Sequence, residues 1–204
     1  MYYLLVITCA YLLGSSSMSY YIAKIKGVDI RNKGSKNLGA SNAMITLGWK
    51  YGIIVAIHDI AKSAIAVLIA QILFPTLPYI GAVAGVASVL GHIFPFYLKF
   101  KGGKGFASYI GMTIALNWKL ALVILILIVL ATLITDYIVV GTTLTITIVP
   151  TFLGFASRSW ILPLILLVAT FVIMYKHRMN YVRICKGTEI GLRSANRGEH
   201  RADK

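Results

Sequence analysis

Seven apolar runs, separated by short polar or glycine-rich breaks, constrain this chain more than any other feature. They cover residues 2–23, 51–74, 79–100, 106–117, 120–134, 137–155 and 160–175. Hydrophobic residues make up 58% of the chain and charged residues 13%, whereas about a quarter of a soluble domain is charged. Because main-chain polar groups in a bilayer must be satisfied internally, apolar runs of this length predict helices. The sequence therefore predicts an all-α integral membrane protein.

The distribution of positive charge predicts the topology. Lysine and arginine are concentrated in residues 24–50, in the short loop 99–104 and in the tail from residue 176 onward. The positive-inside tendency assigns all three stretches to the cytoplasm. An even number of crossings must then separate the second stretch from the third, so the short run 106–117 counts as a tilted or partial span. The prediction is seven transmembrane helices, with the N-terminus outside and the C-terminus inside.

A single membrane-embedded domain, residues 1–204, is expected, with a cytoplasmic basic tail at 176–204 whose last residues, about 15, are flexible. The first run has no basic region before it and no convincing cleavage motif, so we interpret it as a retained span. We attribute the net charge of +14 to topology and to contact with anionic lipids, and expect no nucleic-acid partner. Cys9 and Cys185 are expected to be unpaired, and no ligand spacing indicates a metal.

A glycine-rich loop, residues 101–105, lies directly between two apolar runs, and its sequence is Lys101-Gly102-Gly103-Lys104-Gly105. Three glycines allow the main chain to turn its N–H groups inward around an anion, and the two lysines add positive charge. The spacing is not that of a Walker A loop. The pattern predicts a phosphate site at the membrane surface; the alternative is a flexible basic hairpin against lipid headgroups.

The first basic stretch contains a second candidate anion site, residues 34–42 (GSKNLGASN), just before a predicted helix. Such a segment can offer main-chain N–H groups, a serine hydroxyl and a helix N-terminus to an oxyanion. The alternative is ordinary turn chemistry, with Ser41 or Asn42 capping the helix. This motif alone does not decide between the two.

The third basic stretch begins with His177 and continues through Asn180 and Arg183. If the last helix extends past residue 175, His177 and Asn180 share one of its faces. The alternative is a stop-transfer cluster that holds the helix end at the headgroups. His177 and Asn180 are not needed for anchoring, and they are therefore the functional candidates of this stretch.

Four ionisable side chains lie in the interior of apolar runs: His58, Asp59, Lys62 and His92. Asp59 and Lys62, spaced i and i+3, are expected to pair, and His92 is expected to form a hydrogen bond between helices. Charged groups at membrane depth are functional candidates by default. The alternative for Asp59 and Lys62 is that they lie near the cytoplasmic end of their helix and snorkel to the surface.

Together, these motifs indicate a transferase. All three loop motifs are predicted on the cytoplasmic face, two of them suit oxyanions, and no hydrolytic nucleophile is evident. That combination favours transfer between two phosphorylated substrates. The alternative from another class is a non-enzymatic transporter or lipid-binding protein, which would carry midplane charges and internal repeats. No convincing repeat is visible.

The three motifs resemble those of the bacterial acyl-phosphate:glycerol-3-phosphate acyltransferases of the PlsY type. The matching segments are residues 34–42, residues 91–95 followed by 100–105, and residues 177–189. The resemblance implies a monomeric seven-helix protein of the bacterial cell membrane whose active site faces the cytoplasm. It also implies acyl transfer from acyl phosphate to glycerol 3-phosphate, giving lysophosphatidic acid for phospholipid biosynthesis. Membrane lipids are the other expected partners, and no cofactor or metal is expected.

Carried over by position, the resemblance implies that four residues are catalytic: Ser35, Lys104, His177 and Asn180. Substrate phosphate would be bound by Asn37, Gly102, Gly103, Lys104 and Gly105. Lys36, which the family pattern does not supply, is a further candidate phosphate ligand. An acyl phosphate is already activated, so positioning and charge stabilisation suffice without a covalent enzyme intermediate. Lys104 would hold the donor phosphate, while His177 and Asn180 would orient the acceptor or polarise the carbonyl.

The chain departs from the family pattern around its first motif. Ile45 stands where the family typically has an arginine, which would clamp the acceptor phosphate through two parallel hydrogen bonds. Lys36 and Ser63 each replace a usual glycine. Either another cation, such as Lys36 or Lys50, takes over the clamp, or the chain acylates a different small phosphorylated acceptor.

Overall fold

The protein is helical throughout the part of the chain that the structure, a computed structural model, describes: residues 1–191 and 193. Its α-helices there are α1 (Tyr2–Ser15), α2 (Met18–Ile25), α3 (Ala40–Leu47), α4 (Trp49–Leu73), α5 (Ile80–Ile93), α6 (Phe106–Leu116), α7 (Trp118–Thr135), α8 (Ile138–Ser157) and α9 (Ile161–Cys185). Short 3-10 turns form at Ile30–Asn32 and Phe96–Leu98. No strand occurs among the described residues, which confirms the all-α prediction.

Six helical segments of the described chain are long and apolar enough to cross a membrane. They are Tyr2–Ile25, Trp49–Leu73, Ile80–Leu98, Trp118–Thr135, Ile138–Ser157 and Ile161–Cys185. Helix α6 is apolar but has 11 residues, fewer than the roughly 20 that a full crossing needs. The seventh crossing and the orientation with the N-terminus outside therefore stay predictions.

The predicted run 2–23 lies within one candidate span, Tyr2–Ile25, but the helix in that span is interrupted at Ser16. Helix α1 ends at Ser15 and α2 starts at Met18, with Ser16 in an extended conformation (φ −55°, ψ 130°). Serine competes with helical hydrogen bonding through its own hydroxyl, and the Ser15 hydroxyl indeed donates to the Tyr11 carbonyl at 2.8 Å. The break frees the Ser16 carbonyl, which accepts a hydrogen bond from a side chain of α4.

The chain divides into two compact units, Met1–Asn117 and Trp118–Lys204, and each is described by itself. The single domain predicted for residues 1–204 stays a prediction. The predicted basic tail begins inside α9, and its residues 192 and 194–204, with their expected flexibility, lie outside the described residues. Both cysteines are free, as expected.

In the first unit, α5 is the central helix, packed against α1, α4 and α6. Two glycines make its crossing with α1 possible. A Cβ on Gly14 would collide with the Ser88 main chain, and one on Gly91 would collide with the Tyr11 carbonyl. The helices approach to main-chain contact there, as small residues allow in membranes. A polar end of α5 is thereby fixed beside the break at Ser16.

In the second unit, α8 packs between α7 and α9, and one hydrogen bond repairs a defect in α8. Pro150 lies inside α8 and has no N–H to donate to the carbonyl of Ile146, four residues earlier. The Thr170 hydroxyl of α9 donates to that carbonyl at 3.1 Å instead. Because Thr170 and Ile146 are both buried, this bond satisfies a carbonyl that water cannot reach.

We expect Thr170→Val to lower the free energy of unfolding by about 1 kcal/mol, because the Ile146 carbonyl loses its donor. In a Pro150→Ala background the main chain regains an N–H for that carbonyl, so the same substitution should have almost no effect. Reversible unfolding in detergent micelles measures both. Equal losses in the two backgrounds would contradict this account of the bond.

Candidate active site

The glycine-rich loop is attached to the end of α5 by its own main chain. Gly102 N–H donates to the Ile93 carbonyl and Gly103 N–H donates to the His92 carbonyl, each at 3.1 Å. These two N–H groups were predicted to surround an anion, and that part of the prediction is wrong. They satisfy the last carbonyls of a helix, which have no partner within the helix itself.

Glycine is required at both positions by close packing. A Cβ on Gly102 would collide with the His92 carbonyl, and one on Gly103 would collide with the His92 imidazole. Gly105 follows in the left-handed region (φ 93°) and starts α6 as its N-cap. The loop is therefore a tight connection between α5 and α6.

Lys104 is the cation that this connection presents. It is half-buried and lies between two buried glycines, one residue before the N-cap of α6. The N-terminus of a helix favours negative charge, and a lysine beside it adds a full positive charge. Of the predicted phosphate ligands in this loop, Lys104 and Gly105 keep a position that suits the role.

The first loop, residues 33–39, is organised by the side chain of Asn42. The buried Asn42 carboxamide accepts a hydrogen bond from Ser35 N–H at 2.8 Å. Its Nδ2 lies 2.9–3.1 Å from three main-chain carbonyls, those of Ile30, Lys33 and Asn37, which share its two N–H bonds. One side chain thus closes the loop from both ends.

Capping of α3 by Ser41 or Asn42, the alternative considered from sequence, does not occur. Gly39 is the N-cap, and no side chain caps the helix. Asn42 was missed as a loop organiser, although an amide that follows a small-residue segment is a fitting signal for one. Ser35 and Lys36 are exposed on the loop, and Asn37 is half-buried.

Asp29 neutralises part of the charge of this stretch. It accepts hydrogen bonds from Arg31 N–H at 3.0 Å and from Arg31 Nε at 2.9 Å. The Arg31 guanidinium holds the pKa of the Asp29 carboxyl below its ordinary value. The pair closes the 3-10 turn Ile30–Asn32, and the exposed cations that remain on the first loop are Lys33 and Lys36.

One apolar cluster supports both loops of the first unit. Leu38 of the first loop, Ala43 of α3 and Leu98, just before the glycine-rich loop, are buried in the same cluster. The Leu38 carbonyl also accepts a hydrogen bond from the Ser19 hydroxyl of α2 at 3.0 Å. Ser35, Asn37 and Lys104 thus lie on segments anchored at one end of this unit.

The ionisable residues of α4 and α5 meet in the interior. Lys62 Nζ lies 2.8 Å from Asp59 Oδ1 and 2.9 Å from His92 Nδ1. The predicted pair and the predicted interhelical bond of His92 are therefore confirmed. Snorkelling is wrong, because only 3% of Lys62 and 2% of Asp59 is exposed.

The third motif belongs to the second unit, where α9 continues past residue 175 and ends at Cys185. His177 and Asn180 are both buried, and His177 Nδ1 donates to the Ile173 carbonyl at 2.9 Å. Glu189 folds back from the chain after α9. It accepts hydrogen bonds at 2.6 Å from Asn180 Nδ2 and from Arg183 Nε.

Glu189 was missed as an organiser, because its contacts depend on how the chain returns after the helix ends. Its carboxylate orients the Asn180 amide and holds that side chain in one rotamer. The catalytic roles of Ser35, Lys104, His177 and Asn180 stay predictions. Within the described residues, no group of three His, Cys, Asp or Glu side chains could hold a metal ion.

The chain is similar to known proteins over almost its whole length. The model of the glycerol-3-phosphate acyltransferase family matches residues 4–187. The glycerol-3-phosphate acyltransferase 1 of Oceanobacillus iheyensis is 36% identical over 207 residues, covering 95% of this chain and 97% of the relative. That of Halalkalibacterium halodurans is 39% identical over 192 residues, covering 91% and 93%.

Two solved structures share the fold. Both are crystal structures of PlsY (YgiH), an integral membrane glycerol 3-phosphate acyltransferase. Its glycerol 3-phosphate form has a TM-score of 0.89 at 35% identity, covering 96% of this chain and 98% of that one. Its lysophosphatidic acid form has a TM-score of 0.84 at 34% identity, covering 94% and 95%.

We expect Asn42→Ala to destabilise the first loop, because Ser35 N–H and three carbonyls lose a buried partner. The free energy of unfolding should fall by about 2 kcal/mol, and amide hydrogen exchange over residues 30–38 should accelerate. Ser41→Ala, at the exposed neighbouring position, is the control and should leave both unchanged. Unaltered exchange in the Asn42 variant would show that the loop holds its shape without this side chain.

Proposed function

Because the chain belongs to the glycerol-3-phosphate acyltransferase family, we propose that it transfers a fatty acyl group from acyl phosphate to glycerol 3-phosphate. The products are lysophosphatidic acid (1-acyl) and inorganic phosphate. The protein is a multi-pass integral membrane protein of a bacterial family and contributes to phospholipid biosynthesis. It works as a monomer with its active site on the cytoplasmic face, where the three basic stretches are predicted.

The acceptor is supported by the relatives. Their names give glycerol 3-phosphate as the substrate, and the PlsY structures of similar fold are the glycerol 3-phosphate and lysophosphatidic acid forms. Substrate and product of one acyl transfer are thus represented in two structures that resemble this chain. The reaction adds the acyl group to a hydroxyl and leaves the acceptor phosphate intact.

The observation that carries the donor proposal is the position of Lys104. Its loop is tied to the end of α5, and it presents one half-buried cation at the start of α6. A phosphate leaving group gains negative charge as its bond to the acyl carbon breaks. A cation and a helix N-terminus fixed in advance stabilise that charge without reorganisation.

The reaction needs no covalent enzyme intermediate. The acceptor hydroxyl oxygen forms a bond to the acyl carbon, and the bond from that carbon to the phosphate oxygen breaks with its electron pair. The hydroxyl proton passes to a phosphate oxygen of the acceptor, because no carboxylate is predicted as the base. Positioning therefore supplies most of the catalysis.

The remaining predicted residues complete the proposal. Ser35, Lys36 and Asn37 contact substrate phosphate from the first loop. His177 and Asn180 orient the acceptor or polarise the acyl carbonyl. The bond from His177 Nδ1–H to the Ile173 carbonyl supports this, because it fixes the orientation of the imidazole ring. Asn180 is kept in one orientation by Glu189.

We expect the purified protein to release phosphate and form a monoacyl product from acyl phosphate and glycerol 3-phosphate.

Lys104→Met should lower kcat/KM for acyl phosphate by about 100-fold or more, because the leaving phosphate loses its cation. Lys99→Met, which removes an exposed lysine five residues earlier, is the matched control and should stay within about twofold. A Lys104 variant as active as the control would contradict the assigned role. If product forms from an acyl thioester but not from acyl phosphate, the proposed donor is wrong.

A different small phosphorylated acceptor is the second candidate, and Ile45 favours it. This residue lies on α3, one turn after Asn42, with 41% of its surface exposed. It cannot bind phosphate, whereas the arginine expected from the resemblance could. If the clamp is merely missing, Ile45→Arg should lower KM for glycerol 3-phosphate about tenfold and leave KM for acyl phosphate unchanged.

Met44→Arg is the control for this experiment, since it adds the same charge at the neighbouring exposed position. Steady-state assays with each substrate varied in turn give the two KM values. An unchanged KM for glycerol 3-phosphate, or a loss of activity, would argue that the site is built for another acceptor. Other polyol phosphates would then be compared as substrates.

A further inference from the structure

The most conspicuous group that the proposed chemistry leaves unused is the buried cluster of Asp59, Lys62 and His92. All three are buried, with 2%, 3% and 6% of their surface exposed. The Lys62 ammonium contacts Asp59 Oδ1 at 2.8 Å, His92 Nδ1 at 2.9 Å and the Ser16 carbonyl at 2.7 Å. An ammonium group has three N–H bonds and no lone pair, so these three acceptors saturate it.

The saturation of Lys62 also fixes the state of His92. A nitrogen that accepts from an ammonium carries no proton, so Nδ1 is the acceptor and Nε2 carries the hydrogen of the neutral ring. The same Nδ1 lies 3.3 Å from Asp59 Oδ1. His92 is thereby oriented by its Lys62 bond, with its Nε2 edge directed toward Gly103.

Three chain segments meet at this cluster. Ser16 is the break between α1 and α2, Asp59 and Lys62 come from α4, and His92 is the penultimate residue of α5. The Asp59 carbonyl also accepts a hydrogen bond at 3.1 Å from Ser108 in the first turn of α6. The cluster therefore connects α4, α5 and α6 with the break between α1 and α2.

The contact with the loop itself is made by His92. Its carbonyl accepts Gly103 N–H at 3.1 Å, and its imidazole occupies the space that a side chain at position 103 would need. Lys104 is the next residue. A shift or rotation of His92 therefore moves the main chain from which the Lys104 side chain starts.

A contribution to stability does not by itself explain why charged residues are buried here. Burying an ion pair removes both charges from water, and apolar residues of similar size often serve stability equally well or better. A buried pair does specify one arrangement, because each charge has a single set of partners that can satisfy it. Here the arrangement so specified is the attachment of the loop that carries Lys104.

We propose that Asp59, Lys62 and His92 are positioning residues for the glycine-rich loop, and that they set KM for the phosphorylated donor by fixing the main chain before Lys104. The inference rests on the proposed function of Lys104 in holding the donor phosphate. None of the three touches substrate. They act on the reaction through Gly103, and their effect is therefore confined to the donor.

The test replaces the ion pair without leaving a buried charge. In the Asp59→Asn/Lys62→Met double variant, we expect KM for acyl phosphate to rise about tenfold while KM for glycerol 3-phosphate stays within about twofold. Amide exchange of the loop 101–105 should accelerate in the same variant, because the His92 carbonyl is no longer held in place. Ser63→Ala is the matched control. It removes another buried hydrogen bond of α4, 2.8 Å from Ser88 Oγ, and should change neither measurement.

Two outcomes would overturn the proposal. One is a donor KM within about twofold of the unmodified protein, and the other is an equal rise in both KM values, as a general loosening of the fold produces. If the unmodified protein forms no acyl product, the proposed function fails. The exchange measurement then decides this inference alone, because unchanged exchange of the loop contradicts it.

A second pair of variants serves if the double variant does not fold. His92→Asn keeps an acceptor within reach of Lys62, whereas His92→Leu of similar size has none. We expect the KM for acyl phosphate to be several-fold lower in the Asn variant than in the Leu variant. Amide exchange of the loop 101–105 should be faster in the Leu variant. Equal values in the two variants would overturn the proposal, because a purely space-filling role makes no distinction between them.

Discussion

Polar main-chain groups in an apolar surrounding must find their partners within the protein, and the interrupted helices of this chain show how that constraint is met. The carbonyl of Ser16, freed where α1 breaks, accepts from Lys62. The carbonyl of Ile146, left without a donor by Pro150, accepts from Thr170. The carbonyl of His92, at the end of α5, accepts from Gly103. Each interruption is thus paired with a donor from another segment, and these bonds fix the ends of the helices.

Two of the loops that carry candidate site residues lie at such helix ends. A continuous helix presents no main-chain group to a ligand, whereas its ends do. The glycine-rich loop and the first loop both lie where a helix stops and another begins. Each is held by a buried organiser, His92 in one case and Asn42 in the other. Ser35 stays exposed on the first loop, as its proposed role in binding substrate requires.

Local patterns in the sequence were enough to predict most of the helical segments and the Asp59–Lys62 pair, and they left the extension of α9 past residue 175 as an open alternative. Each of these depends on residues within one turn or one apolar run. The donor to the Ser16 carbonyl, the bonds of Asn42 and the contacts of Glu189 were not predictable in this way. They depend on partners from 5 to 46 positions away, and on the route of the chain between helices. The alternative that Lys62 snorkels to the surface was wrong for the same reason, since the acceptors of its ammonium group come from three segments.

The N–H groups of Gly102 and Gly103 bond to the end of α5, which changes the chemistry proposed for holding the donor phosphate. An arc of main-chain N–H groups would fix the orientation of a bound phosphate through directional hydrogen bonds. With those two N–H groups bonded to α5, the loop offers a lysine and a helix N-terminus instead. A lysine ammonium is a compact charge that attracts phosphate without imposing one orientation on it. Under the proposed function, the orientation of the donor must then come from the fixed main chain around Lys104 and from the other polar residues proposed for the site, so the proposal requires a rigid attachment of this loop.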